Sequence, residues 1–458
     1  MSIQTAIDAL AAKFGEYVTT AQAIRDQHGQ NEAYFPVTPP DAVVFPGSTA
    51  DVSAIARLCT EHGCPIVAYG AGTSLEGAQL AFQGGIALDM SRMTDVLAVN
   101  QEDMDAVVQP GITREALNTE LRATGLMFPV DPGANATIGG MASTRASGTT
   151  AVRYGTMREN VLALEVVLAD GRIIRTGTRA RKSSAGYDLT KLFVGAEGTL
   201  GIITEVTLRL HGQPEASAAA ICAFDDFETA VNTVIATIQM GIPMARIEFV
   251  DEMMAKGFNM IEPEANLPEK PHLFVEFVGS QQGVAEQAET FGEIVADMGG
   301  AAFKWATKPD ERAALWKLRH NAYYAQKAHR PRDQVQNTDV CVPISRLAEA
   351  VRLARAKAES YGLTVCMVGH MGDGNFHCGI SVEEGNEDER QRASVFASDL
   401  NMLALELDGT ITGEHGVGRG KMRYMEREHG EALSVMVALK KTLDPDNLMN
   451  PGKVVPVN

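Results

Sequence analysis

The chain has 458 residues, a length that suggests roughly three domains, with 45% apolar and 21% charged residues, an ordinary globular balance that can bury a large core. Its 40 Lys and Arg against 58 Asp and Glu leave a net charge of −18. That argues against a nucleic-acid partner, because phosphate backbones are held by clustered basic side chains. Six scattered cysteines (59, 64, 222, 341, 366 and 378) include no Cys-x-x-Cys and read as buried thiols of a reducing compartment. No segment reaches the roughly 18 unbroken apolar residues of a membrane span. The opening MSIQTAIDALAAKFGEYVTT lacks the basic flank and apolar block of a secretion signal. The expected setting is cytoplasmic, with peripheral contact at an inner membrane left open.

In chain order, Ser48 or Thr49 caps a predicted helix carrying Ile55, Leu58 and Cys59, Gly63 ends it, and residues 65–69 form a buried strand. The same grammar returns with Thr113 as cap and Gly125 as stop. VLALEVVLADGRIIRTG (161–177) predicts two strands about an Asp-Gly turn, and residues 198–210 a further strand. The texture changes near residues 212–216, a boundary signal. A second α/β module follows, with strands at 217–223, 246–250, 272–279 and 301–306 and helices at 226–239 and 283–298. A long helix is predicted over 309–328. The fold class is α+β, divided into residues 1–212, 213–408 and a C-terminal return over 409–458.

Two glycine-rich stretches stand out. YGAGTSLEG (69–77) follows a strand, but Leu75 stands where a dinucleotide fingerprint needs glycine, and the distance to the next strand leaves no room for a full helix. Its free backbone N–H groups still suit an anion; the alternative is a tight turn only. Residues 131–155 hold five glycines and many small hydroxyl side chains, few of them apolar enough to build core, as expected of backbone wrapped about a large flat ligand. GVGRGK (416–421) fails as a phosphate loop, with His415 and Met422 at positions that need glycine and Ser or Thr.

VGHMGDGNFHCGI (368–380) reads as a hairpin with His370 and His377 flanking its turn, where facing side chains come within about 5 Å. With Glu414 from GEHG they make a two-His, one-carboxylate set for Zn²⁺, Mn²⁺ or Fe²⁺. Any one of these histidines alone would read as structural; the pair at a glycine turn favours the metal. His415 reads as a general base, since an imidazole titrates near neutral pH. Arg319, one turn after Trp316, reads either as a fork for a substrate carboxylate or as a solvated helix arginine.

The strings PVDPGAN, GTTAVRYGTMREN, GAEGTLGIIT, NTDVCVPISRL, VGHMGDGNFHCGI, GEHGVGRGK and LMNPGKV, in this order, resemble the FAD-linked oxidases of the vanillyl-alcohol-oxidase type, and most closely the cytochrome-linked D-lactate dehydrogenases among the D-2-hydroxy acid dehydrogenases. The resemblance implies a two-part FAD-binding domain with an α/β substrate (cap) domain. It implies non-covalent FAD, because Thr73 and Ser74 stand where some relatives carry a flavin-linked histidine. The implied FAD contacts are Gly70, Ala71, Gly72, Thr73, Ser74, Pro132, Gly133, Gly139, Gly140, Thr144, Gly148, Glu197, Gly201, Ile202 and Asn450. The divalent metal falls to His370, His377 and Glu414; His415 and Arg319 are the implied catalytic residues, with Asn375 beside them at the substrate. The implied reaction oxidises D-lactate to pyruvate and passes electrons to a cytochrome, a quinone or an electron-transfer protein. D-2-hydroxyglutarate or glycolate oxidation, alone or as a subunit of a complex, is the alternative. Thr338 stands where the hydroxyglutarate enzymes carry lysine, which weakens the long dicarboxylate. A flavin-free metal hydrolase would use the same metal donors but leaves residues 131–155 unexplained. Partners are a small 2-hydroxy acid and an electron acceptor, with a homodimer left open.

Overall fold

A computed structural model describes residues 2–457, which form two compact units. The first comprises the residues up to Ser147, Gly155–Gln213 and Glu414 onward; the second comprises Gly148–Tyr154 and Pro214–Gly413.

In the first unit, helix Thr49–His62 begins where Ser48 Oγ accepts from Asp51 N and ends at Gly63, whose φ of 65° is a left-handed stop. Its Val52, Ile55, Ala56 and Cys59 are buried against a four-stranded sheet ordered Val18–Thr19, Ala42–Val44, Ile86–Asp89, Ile66–Tyr69. The last three strands run parallel. The chain crosses from Ile66–Tyr69 to its neighbour Ile86–Asp89 without a helix, so residues 70–85 are free to act as a loop. The C-terminal segment returns to this sheet, where Asn450 N donates to Ile66 O and Ile66 N to Leu448 O. A second sheet, all antiparallel, is ordered Val96–Asn100, Asp105–Val108, Ile202–Arg209, Val161–Val167, Ile173–Arg175. The Asp170–Gly171 turn closes its last hairpin, with Gly171 at φ 79°.

Residues 131–155 depart from the expected run of loop. Helix Ile138–Thr144 forms there, capped by Thr137, and Ile138, Met141 and Ala142 join the core under the second sheet. Small residues make this core by close approach: a Cβ on Gly139 would lie 2.4 Å from Pro110 Cβ. Gly148–Tyr154 packs instead with the second unit, where Val152 lies over Gly372.

The second unit is built on an eight-stranded sheet. Its order is Ala301–Ala306, Ala216–Ala223, His272–Gly279, Met244–Val250, Thr364–His370, Asn375–Val382 and Gln334–Asn337, and Val340–Cys341 also pairs with Asn375–Val382. Helices Phe227–Gln239, Gln281–Asp297, Ile344–Ser360 and Glu387–Glu406 bury one face. Helices Glu252–Ile261, Pro309–His320 and Ala322–His329 cover part of the other. Strand alternation decides what goes where: Phe376, Cys378, Ile380 and Val382 enter the first core, so Asn375, His377 and Gly379 point to the opposite face. The helix expected over 309–328 is two helices, broken at Asn321, whose N–H is shared between the Lys317 and Leu318 carbonyls. Asparagine is a weak helix former that competes for such backbone groups. Glu252–Ile261, capped by Asp251, was not anticipated.

Phe376 is 1% exposed in the largest core. Its replacement by Ala is expected to cost about 3–5 kcal/mol, read by denaturant unfolding followed at a probe within the second unit.

Candidate functional site

The hairpin Thr364–His370 and Asn375–Val382 carries both predicted histidine ligands. Its register pairs His370 with Asn375 and Val368 with His377, so the imidazoles are diagonal neighbours on one face rather than directly opposite. Their ring centroids are 5.6 Å apart. His377 Nδ1 lies 3.1 Å from the carbonyl of Thr338; a carbonyl can only accept, so Nδ1 carries a proton. His370 Nδ1 lies 2.7 Å from the Glu248 carboxylate and is a donor for the same reason. A proton fixed on Nδ1 makes Nε2 the nitrogen through which each ring would ligate a divalent cation.

Glu414 and His415 follow Gly413 along the chain, and Gly413 is itself pressed against Asn375, where a Cβ would lie 2.2 Å from Nδ2. His370 and His377 offer their rings on one face of the sheet, and Asp339 lies beside His377. Asp339 is poorly placed to serve as a metal donor. Both oxygens of the fully buried Asp339 already accept hydrogen bonds, from Asn375 Nδ2 and Thr412 Oγ1, each at 2.7 Å. Asp339 thereby fixes Asn375, and its own Oδ1 is 3.6 Å from His377 Nδ1.

Arg319 is not a solvated helix arginine. It is 8% exposed, and its Nη2 donates to Glu248 Oε2 at 2.7 Å while Nε has no hydrogen-bond partner among the described residues. Trp316, one turn earlier, is buried beneath the Arg246 guanidinium 4.7 Å from its ring, which seats the helix with Arg319 turned inward. Glu248 links both predicted functions and was missed from sequence. Its signal was there: an acid inside the apolar strand MARIEFV, at a position facing away from Ile247 and Phe249. Cys341 adds no chemistry, because burial, then the charges of Asp339 and Asp373, push its thiol up to about 12.

In the first unit, the two glycine stretches meet. A Cβ on Gly70 would lie 2.3 Å from Thr137 Oγ1, the atom that caps the helix containing Gly139, Gly140 and Thr144. Gln79 Nε2 donates to the carbonyls of Gly72 and Ser74, and Ser74 Oγ is buried without a partner. A glycine loop with no room for side chains and an orphaned hydroxyl fits the phosphate-bearing part of a dinucleotide. The other positions implied for FAD have the following surroundings. Ile202 is core, Gly201 gives way to Val166 and Val167, and Asn450 Nδ2 is spent on the carbonyls of Ala78 and Glu197. Pro132 and Gly133 lie in an open loop, and Gly148 has φ 129°. Ala71 and Thr73 lie in the first glycine stretch.

Glu197 is fully enclosed, and burial pushes its carboxyl up to about 7. It accepts from Val417 N at 2.7 Å and from Gly418 N at 2.9 Å, and a Cβ on Gly416 would sit 2.7 Å from Oε1. Glu197 therefore shapes the turn immediately after His415.

A family model described as "FAD binding domain" matches residues 40–177, and one described as "FAD linked oxidases, C-terminal domain" matches residues 213–454. The chain belongs to the FAD-linked oxidase family and is an FAD-dependent oxidoreductase with the vanillyl-alcohol-oxidase type of fold. It is 50% identical to the probable mitochondrial D-lactate dehydrogenase of Danio rerio, over 96% of this chain and 89% of that protein. It is 46% identical to the mitochondrial D-lactate dehydrogenase [cytochrome] of Arabidopsis thaliana, over 96% and 78%, and 36% identical to glycolate oxidase subunit GlcD of Bacillus subtilis, over 91% and 89%. Among solved structures, 4-ethylphenol oxidase from Gulosibacter chungangensis shares the fold with a TM-score of 0.80 at 19% identity, covering 98% of this chain and 96% of that one. Among the described residues no helix is long and apolar enough to cross a membrane.

Two substitutions test the first unit. Gly70→Ala should lower the flavin-to-protein absorbance ratio of the purified protein several-fold, and an unchanged ratio would detach this loop from the cofactor. Glu197→Gln removes an acceptor from a buried backbone N–H and should cost about 1–3 kcal/mol, measured as a lowered unfolding midpoint of the FAD-loaded protein.

Proposed function

We propose that this flavoenzyme oxidises a D-2-hydroxy acid, D-lactate to pyruvate, with non-covalent FAD and a divalent cation, and passes the electrons to a separate carrier. The observation that carries the reading is the juxtaposition on one sheet face of a two-imidazole donor pair and a buried, inward-turned Arg319. A 2-hydroxy acid presents a hydroxyl for the first and a carboxylate for the second. The names of the relatives, D-lactate dehydrogenases and a glycolate oxidase subunit, support the same substrate class.

In this reading His370, His377 and Glu414 hold the cation, Zn²⁺ or Mn²⁺ by donor type. When bound, the cation acidifies the substrate hydroxyl and the flavin accepts the α-hydrogen as hydride. Arg319 binds the carboxylate through the part of its fork that Glu248 does not use, and so fixes which enantiomer turns its α-hydrogen toward the flavin. Asn375, held by Asp339, is placed beside the hydroxyl. His415 takes the hydroxyl proton, and the Glu197-bound turn limits how far that imidazole can move.

A short substrate is favoured. Thr338 Oγ1 accepts from Cys378 N at 3.0 Å and the residue is buried, so this position holds two strands together and supplies no cation for a second carboxylate.

Anaerobic mixing with a panel of 2-hydroxy acids tests the proposal. Flavin bleaching should be fast with D-lactate, at least tenfold slower with D-2-hydroxyglutarate, and absent with L-lactate. His415→Asn should keep bound FAD and slow reduction by about 10²–10⁴-fold. Chelation should suppress reduction and added Zn²⁺ or Mn²⁺ restore it; undiminished reduction after chelation would end the metal role.

A further inference from the structure

Glu248 has no assigned task, yet it is fully enclosed and charged in the middle of a sheet. It lies directly opposite His370 across the neighbouring strand. Its two oxygens are divided: Oε1 takes the His370 Nδ1 proton at 2.7 Å, and Oε2 takes an Arg319 Nη2 proton at 2.7 Å. A buried ion pair is often no more stabilising than apolar side chains of the same size, so its presence in a core asks for another reason.

We propose that Glu248 is a positioning residue that serves metal and substrate together. It fixes a proton on His370 Nδ1, which makes Nε2 the nitrogen that would ligate the cation, and it holds Arg319 in the orientation that receives the substrate carboxylate. This rests on the metal and substrate assignments of the preceding section and deepens them. One carboxylate shared between the two sites makes them interdependent, since whatever turns Glu248 disturbs both. A purely structural ion pair would tie helix Pro309–His320 to the sheet through Arg319 alone and would not need the bond to His370.

Glu248→Gln separates these roles. The amide oxygen can still accept from Arg319, so the helix stays docked. The amide NH₂ must then face His370 Nδ1, which becomes an acceptor only by moving its proton to Nε2, the ligating atom. The expected result, on FAD-loaded protein, is a ~10–100-fold loss of Zn²⁺ affinity in competition with a chromophoric chelator. Flavin content should be unchanged, and KM for D-lactate should rise. Glu248→Asp keeps an acceptor-only group and should recover part of the affinity; it carries the test if the Gln variant does not fold. Wild-type Zn²⁺ affinity in both variants overturns the proposal while leaving the metal site standing. A wild-type protein that binds no Zn²⁺ or Mn²⁺ at one per chain overturns the metal reading itself, and this proposal with it.

Discussion

The site depends on the pairing of Val368 with His377 across one antiparallel hairpin. Side chains along a strand alternate faces, so this register sends Phe376 and Cys378 into one core and both imidazoles to the other side. A slip by one residue would bury His377 among phenylalanines and turn Phe376 to the face that now carries the imidazoles. The apolar packing beneath the sheet thus fixes the chemistry above it. The backbone carbonyl of Thr338 and the Glu248 carboxylate then set which nitrogen of each ring is available.

Carboxylates without solvent recur as the second organising device. Glu248 joins His370 to Arg319, Asp339 joins Asn375 to Thr412, and Glu197 gathers the N–H groups of Val417 and Gly418. Each is enclosed, and each has its lone pairs taken by groups that must stay fixed. Burying such a group is costly unless it is hydrogen-bonded, which is why these three contacts resist rearrangement. The glycines work in the opposite sense. Gly70 and Gly139 remove side chains where another backbone or hydroxyl has to come close.

Local signals in the sequence were sound where one residue decides the outcome. The Ser48 cap and Gly63 stop, the Asp170–Gly171 hairpin and the absence of a helix between residues 70 and 85 all formed as expected. The misses share a cause. Residues 131–155 looked too small to build core, yet Ile138 and Met141 do so, because glycine lets the helix sit against Pro110. The helix over 309–328 looked continuous, since apolar spacing does not reveal that Asn321 opens the ladder.

The sequence by itself determined the family and most element types, and singled out His370, His377, Glu414, His415 and Arg319 as candidates, because each sits in a local pattern of distinctive residues. Tertiary structure alone decided which imidazole nitrogen holds a proton against a fixed acceptor, that Arg319 faces inward, and that Glu248 lies between His370 and Arg319. Those outcomes depend on partners 39 to 122 positions away in the chain, brought together by sheet register and close packing. No local pattern of residues encodes a contact of that span.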